Sequence, residues 1–511
     1  MTSNLMKPIL SMLLLVVSVV SLFSGCTNES MNSTTTVAPD LSTQGATETT
    51  APVLFSDVDN VDVPSDAYYK NKLAINAPDP FILKYGDTYY LYNTGTALLT
   101  VRTSKDLVNW SSSKVIFSVT NTSWALTYCW APEVYHYNDK FYLFYSAKPS
   151  VDSVNYHCGV AVCDTPDGTF MPVSDEPLIN FPFRTIDISF FVDDDGRTYV
   201  FYSKDQETNI IDGIKTSQTY GAEVTNDLTT LIGEPVLIST PTEAWELESG
   251  AKVWNEGPVV FKENGKYYLL YTANHFRAPN YAVGYCTSDE VLGFYDKPKD
   301  GRILAAKGEI ITGPGHCNIL RCEDEIYLVY HAHTIPPNDK AGRSLYIDKL
   351  VIKEDGTLWV NGPTNTKQPL PNGVNGYYKY DAEVEVTGTL KNENQDLRIL
   401  YDGMTPKNGM GIVEVDDADS ITLKFPEGQK FDLMWVYSSD VASHEIASAD
   451  IIVNDQYLFN DIEFSGVGSE IIINFEGLPE DTLIQELTLS FTMSENSVCS
   501  GIGEIIFSEK K

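Results

Sequence analysis

The sequence predicts an all-β protein, a five-bladed β-propeller followed by a β-sandwich. Three observations predict it. A short aromatic-aliphatic run returns five times between about residues 75 and 365, each copy is preceded by a turn signal, and beyond Gly362-Pro363 the pattern gives way to alternating β segments of another kind.

The copies are Tyr89-Tyr90-Leu91-Tyr92, Phe141-Tyr142-Leu143-Phe144-Tyr145, Tyr199-Val200-Phe201-Tyr202, Tyr267-Tyr268-Leu269-Leu270-Tyr271 and Ile326-Tyr327-Leu328-Val329-Tyr330. Before them stand Tyr85-Gly86-Asp87, Tyr137-Asn138-Asp139, Asp194-Asp195-Gly196, Glu263-Asn264-Gly265 and Cys322-Glu323-Asp324, and before each turn lies another β-type run. Each unit is therefore a hairpin. Most add a third strand, as in Leu98-Leu99-Thr100-Val101-Arg102 and Cys158-Gly159-Val160-Ala161-Val162. Units of about 50–70 residues with three or four antiparallel strands cannot bury both faces alone, and radial stacking solves that problem. Five units imply five blades over residues 56–376.

Residues 377–511 carry runs such as Ser420-Ile421-Thr422-Leu423-Lys424-Phe425, Asp450-Ile451-Ile452-Val453 and Leu487-Thr488-Leu489-Ser490-Phe491. Their alternation predicts a β-sandwich. Leu400-Tyr401-Asp402-Gly403 and Gly501-Ile502-Gly503-Glu504-Ile505-Ile506 resemble discoidin-type, galactose-binding-like domains, which implies either carbohydrate binding or a packing role.

The first 26 residues read as an export signal. Lys7 is the only charge before an apolar run from Ile9 to Phe23, too short for a membrane span. Ser21-Leu22-Phe23-Ser24-Gly25-Cys26 resembles the lipobox of bacterial lipoproteins, with Phe23 where Leu is usual, so Cys26 is expected to carry a lipid anchor at the cell surface. Residues 27–55, rich in Ser and Thr, read as a linker. The seven remaining cysteines form no C-x-x-C pair, so no zinc or thioredoxin signature is present; most read as structural, and disulfide partners stay open.

With 35 Lys+Arg against 70 Asp+Glu the formal net charge is −35. Phosphate backbones and anionic surfaces are repelled by such an excess, so nucleic acid, direct membrane-surface binding and polyanionic glycans are excluded as partners. A monomer acting on a neutral glycan is expected, touching a membrane only through its lipid.

Some ten residues before each aromatic run, a polar side chain interrupts an apolar segment: Asp79, Glu133, Asp187, Glu256 and His316. If these positions are equivalent, four carboxylates and an imidazole converge on one central funnel. Crowded carboxylates raise one another's pKa, and glycosidic hydrolysis needs one carboxylic acid and one carboxylate.

Asp79 in Ala77-Pro78-Asp79-Pro80-Phe81, Trp130-Ala131-Pro132-Glu133-Val134, Ile186-Asp187 running into Phe190-Phe191-Val192, and Glu256-Gly257-Pro258 together resemble glycoside hydrolase family 43 over roughly residues 70–370. The resemblance implies an inverting glycosidase that needs no cofactor. Asp79 would be the general base, Glu256 the general acid and Asp187 the neighbour tuning that acid. Trp130, Glu133 and Arg343 would contact substrate. His316 would either approach a calcium ion or be satisfied by the strand backbone. The implied activity releases L-arabinofuranose or D-xylose from plant-wall arabinan or arabinoxylan. An endo-arabinanase, or a surface glycan-binding lipoprotein without turnover, are the rivals.

Overall fold

A computed structural model of the protein describes residues 52–54, 63–299, 301–380, 384–390, 392, 394–417, 419–495 and 497–511. The export signal, Cys26 and nearly all of the expected linker lie outside the described residues. Between Phe81 and Val360 the chain forms five four-stranded antiparallel sheets. Their first strands are Phe81–Tyr85, Thr127–Tyr137, Thr185–Val192, Asn255–Glu263 and Gly315–Cys322. Each pairs with the strand holding the aromatic run of its blade. The first strands of successive blades touch one another, and that of blade five touches that of blade one, so the ring closes around an axis lined by these five strands.

Burial explains the repeat. In Lys266–Ala273 every residue after Lys266 is buried, because blades cover both of its faces. Such a strand reads as a continuous apolar run. Tyr202, Tyr271 and Tyr330 fill the spaces between blades. Blade three departs from the pattern: between its second and third strands a hairpin, Ile210–Ile211 with Ile214–Thr216, pairs with Lys252–Val253 in a separate small sheet.

The C-terminal region is a sandwich of a six-stranded and a five-stranded sheet. Here Ser420–Gln429 and Ile484–Met493 bury alternate residues, because only one face of each sheet meets the core built from Phe425, Val436, Ile451, Leu489 and Phe507. A second apolar cluster joins Tyr69, Leu345 and Leu370 to Leu433, Trp435 and Tyr437, so propeller and sandwich share buried surface. Val53–Leu54, at the end of the expected linker, runs parallel to Tyr457–Leu458 as an edge strand of the six-stranded sheet. An open sheet edge pairs through its backbone whatever the side chains are. Among the described residues no helix is long and apolar enough to cross a membrane.

Candidate active site

Every first strand carries a β-bulge at the mouth of the axis. In blade three Ile186 faces Ser203 and Ser189 faces Phe201, so Asp187 and Ile188 together oppose one residue. The same two-to-one step places Ala131-Pro132, Gly257-Pro258 and His316-Cys317 in blades two, four and five. In blade one Thr94 donates its N–H to the Pro78 carbonyl and Phe81 pairs with Tyr92, which puts Asp79-Pro80 there. The first residue of each bulge has a left-handed backbone: φ is 51° at Asp79, 43° at Ala131, 57° at Asp187, 61° at Gly257 and 48° at His316. For side-chain-bearing residues this conformation is costly and recurs where a strand must re-aim a side chain.

Register therefore corrects the expected equivalence. Asp79, Asp187 and His316 do share one position. Glu256 lies one residue earlier and Glu133 two residues later, where the strand has run deeper along the axis. A β-strand turns its side chains over at every residue, so counting back "about ten" cannot distinguish these positions.

A second ring supports the first. The bulge N–H of Ala131 donates to Thr94 Oγ1 (2.8 Å), that of Asp187 to Ser146 Oγ (2.8 Å), that of His316 to Thr272 Oγ1 (2.9 Å) and that of Asp79 to His331 Nδ1 (3.2 Å). Each acceptor sits on the second strand of the preceding blade or, for Thr94, directly after it. Blade four breaks the pattern. Its Gly257 N–H donates to Asp187 Oδ2 (3.1 Å), and the corresponding hydroxyl, Ser203 Oγ, is left buried without a partner. A Cβ at Gly257 would come within 3.2 Å of the His316 ring, in a backbone conformation that already favours glycine.

These groups open into a cavity of about 420 Å³ whose lining includes Asp79, Asp187, Glu256, His316, Arg343 and Trp130. Asp79 is held by cationic and hydroxyl donors: Arg343 Nη1 reaches its Oδ1 (2.7 Å) and Thr94 Oγ1 its Oδ2 (2.6 Å). Burial alone would raise this carboxyl, but Arg343 leads the groups that outweigh it and hold it well below the usual carboxylate range. His331, fully buried beside Arg343, has its pKa pushed well below normal by burial and by that guanidinium, so it is neutral and accepts the Asp79 N–H.

The opposite wall behaves in reverse. Burial raises Asp187 to about 6, with His316 opposing the shift and Asp79 adding to it. Glu256 is raised well above its ordinary value, by burial first and then by Asp187, Asp205 and Asp79. Its nearest hydrogen-bond partner is the Tyr281 hydroxyl at 3.4 Å. The residue before it, Asn255, is anchored by Lys297, whose Nζ also binds both oxygens of the buried Glu246 at 2.6 and 2.8 Å.

Trp130 stacks on Tyr156 with centroids 4.4 Å apart and, half-buried, presents part of its indole to the cavity. Arg184 lies over the Tyr156 ring and pairs with Asp205 at 3.2 Å. Glu133, expected to contact substrate, does not line the cavity. Its carboxyl is hydrogen-bonded to Tyr135 and, at 3.1 Å, to Asn318, and burial raises its pKa to about 8. The carboxylate facing His316 Nδ1 at 3.6 Å, that of Asp79, has its oxygens engaged by Arg343 and Thr94, so it is not free for the calcium ion that the resemblance implied near His316.

The sequence reading missed Thr94, His331, Arg184, Asp205 and Tyr281. For the first two a signal existed: in blades two to five a Ser, Thr or His directly follows the last Tyr of the aromatic run, and Thr94 stands two residues after Tyr92.

The profile of glycosyl hydrolases family 43 matches residues 70–358. In sequence the chain is 26% identical over 301 residues to a β-D-galactofuranosidase of Aspergillus niger, covering 55% of this chain and 81% of that one. It is 28% identical over 284 residues to an extracellular exo-α-(1→5)-L-arabinofuranosidase of Streptomyces chartreusis, covering 53% and 84%. Among solved structures, a thermostable family-43 glycoside hydrolase is 38% identical with a TM-score of 0.56, covering 60% of this chain and 99% of that one. The matched span exceeds half of the chain and runs through the inner strand of every blade, and the chain accordingly belongs to glycosyl hydrolases family 43 and is a glycosidase.

Proposed function

We propose that the protein is an inverting glycosidase that releases L-arabinofuranose or D-xylose from plant-wall arabinan, arabinoxylan or their oligosaccharides. The observation that carries the mechanism is the opposite setting of two carboxyls in one cavity: Arg343 and Thr94 bind Asp79 and hold its pKa down, while burial and neighbouring carboxyls push that of Glu256 up. Glu256 gives its proton to the leaving oxygen as the glycosidic bond breaks. Asp79 takes a proton from the water that attacks the anomeric carbon from the opposite face, so the configuration inverts. Burial and the negative charge of Asp187 together favour the protonated form of Glu256, and the bond of Asp187 to the Gly257 N–H fixes the backbone next to the acid. Trp130, backed by Tyr156, offers a flat face to a sugar ring. Arg343 holds Asp79 ionised and lines the cavity, within reach of a sugar hydroxyl. Family enzymes typically work without a cofactor, and no step here needs one.

Names of relatives support the pentose assignment, among them the arabinofuranosidase above and a β-xylosidase of Xylanibacter ruminicola. The modest cavity suits a chain end better than the interior of a polymer. Product profiling of arabinan and arabinoxylan digests tests this. Monosaccharide alone is expected; a ladder of oligomers would make the protein an endo-arabinanase, and no product would leave a glycan-binding lipoprotein.

The remaining organisation is proposed on sequence grounds: an export signal over 1–26 with lipid at Cys26, a linker to about residue 55, a catalytic unit over 56–376, and an accessory sandwich over 377–511 that binds glycan or serves as a spacer, in a monomer at the cell surface. Palmitate labelling of the wild type that is lost in Cys26→Ala checks the anchor.

A further inference from the structure

The five-stranded sheet of the sandwich gathers three side chains whose chemistry the glycosidase site does not use. Glu414, His444 and Cys499 each place one ligand atom so that all three lie within 4.8 Å of one another, and among the described residues this is the one such group. They come from distant segments. Glu414 is the middle residue of the strand Val413–Val415, His444 ends a short 3-10 turn over Ala442–His444, and Cys499 immediately precedes the long strand Ser500–Lys510.

The fold holds these segments together independently of the three side chains. Glu414 pairs with Gly501 in the antiparallel ladder, and Val415 with Ser500, so Glu414 is fixed beside the start of the long strand. The segment leading to Cys499 is tied to the turn that carries His444: Val498 N–H donates to the Ser443 carbonyl (3.0 Å), Ser497 Oγ to the Glu445 carbonyl (2.9 Å) and Ser500 Oγ to the same carbonyl (3.3 Å). Gly501 lets the turn approach closely, since a Cβ there would lie 3.3 Å from His444 Cβ and 3.0 Å from Ser439 Cβ. The imidazole is also oriented. Ser443 Oγ lies 3.0 Å from His444 Nδ1, a contact that helps to hold the ring in place.

We propose that Glu414, His444 and Cys499 form a divalent transition-metal site, with zinc the metal their chemistry favours, that staples three segments of the sandwich. Thiolate, imidazole and carboxylate together supply two negative charges and one neutral ligand, which cancel a dication. A sulfur and a nitrogen donor select zinc-type ions over calcium or magnesium, which take oxygens. Zinc bonds of about 2.0–2.3 Å in a tetrahedron keep donors roughly 3.5 Å apart, so the observed spacing needs a contraction of about an ångström. Three protein ligands leave the fourth position to water. The absence of a C-x-x-C pair does not exclude such a site, because its ligands meet through the ladder and the turn and not through local spacing.

Cobalt(II) added to the purified, chelator-treated full chain tests the proposal. The expected result is one cobalt per chain, with a near-ultraviolet sulfur-to-cobalt charge-transfer band that zinc abolishes and millimolar calcium does not. Cys499→Ser should remove that band, and Glu414→Gln or His444→Ala should weaken cobalt binding about tenfold or more. Zinc should raise the Tm of the wild type and not that of Cys499→Ser. No band in the wild type, a band that survives Cys499→Ser, displacement by calcium, or unchanged affinity in both other variants would each overturn it. Circular dichroism of each variant establishes that it is folded before its binding is scored. None of these readouts depends on glycosidase activity.

Discussion

The wall of the cavity built by blades one and five and the wall built by blades three and four hold carboxyls that are largely removed from water, yet the two walls set them oppositely. Around Asp79 stand a guanidinium and a hydroxyl donor, with a neutral imidazole accepting its N–H. Around Glu256 stand other carboxyls and a tyrosine. Burial pushes both groups toward the neutral form; at Asp79 the contacts led by Arg343 outweigh it, whereas at Glu256 burial and the neighbouring carboxyls outweigh the opposing charge of Arg184. Neighbours, not burial, thus separate a base from an acid, and a fold with five similar blades can hold both because its loops and second strands differ between blades.

Removing either end of the pair tests that contrast most severely. Asp79→Ala is expected to lower kcat by about 10²–10⁴-fold or more on every substrate, since among the described residues lining the cavity only Asp79 is bound by both Arg343 and Thr94. Glu256→Ala should cost about as much on a glycoside with a poor leaving group and far less on a nitrophenyl glycoside, whose leaving oxygen needs little protonation. Near-normal kcat on the poor leaving group would remove Glu256 from the acid role.

Exchanging the neighbours comes next. Asp79 must be ionised to act, so activity is lost as pH falls through its depressed pKa. Arg343→Met removes the cation and should move the acidic limb of kcat/KM upward by about 1–3 units, with Arg343→Lys restoring part of the shift. Glu256 must be protonated, so activity is lost as pH rises through its raised pKa. Asp187→Asn removes a like charge and should bring the basic limb down by about one unit; an unmoved limb would mean that Asp187 does not tune the acid.

Trp130→Ala should raise KM about tenfold with little change in kcat, because stacking serves ground state and transition state alike. The smallest effect on catalysis is expected at Glu133. Its pKa is raised from 4.5 to about 8 in the fold, so the unfolded chain ionises first and stability declines as pH rises between these values. Glu133→Gln keeps the amide and hydroxyl contacts and abolishes that decline, so its Tm should exceed that of the wild type increasingly from about pH 5 to 8 while kcat stays near normal. A large loss of kcat would return Glu133 to the substrate site.

Five aromatic runs with their turns sufficed to read the blades, because strands covered on both faces must be apolar along their whole length, as Lys266–Ala273 is. Alternation in Ser420–Phe425 and Leu487–Phe491 sufficed for the sandwich, whose sheets have one wet face. Asp79, Asp187, Glu256 and His316 were legible as polar interruptions of those patterns, Trp130 and Arg343 only through the family resemblance, and all six line one cavity. Glu133 stands two residues past the position that Asp79, Asp187 and His316 share, because a count of about ten residues does not fix the register of a strand. Thr94 and His331 were overlooked because a single Thr or His beside a Tyr is unremarkable until the neighbouring blade brings a bulge N–H against it.

Local pattern thus determined the elements, their number and the chemistry on offer, since periodicity and turn residues act within a few positions of the chain. Which carboxyl keeps its proton, which hydroxyl is left without a partner, and which cysteine meets a histidine and a glutamate were decided only by tertiary structure. Those properties depend on distances between residues as far apart as Asp79 and Arg343, and electrostatic and hydrogen-bonding energies follow distance in space, not separation in sequence.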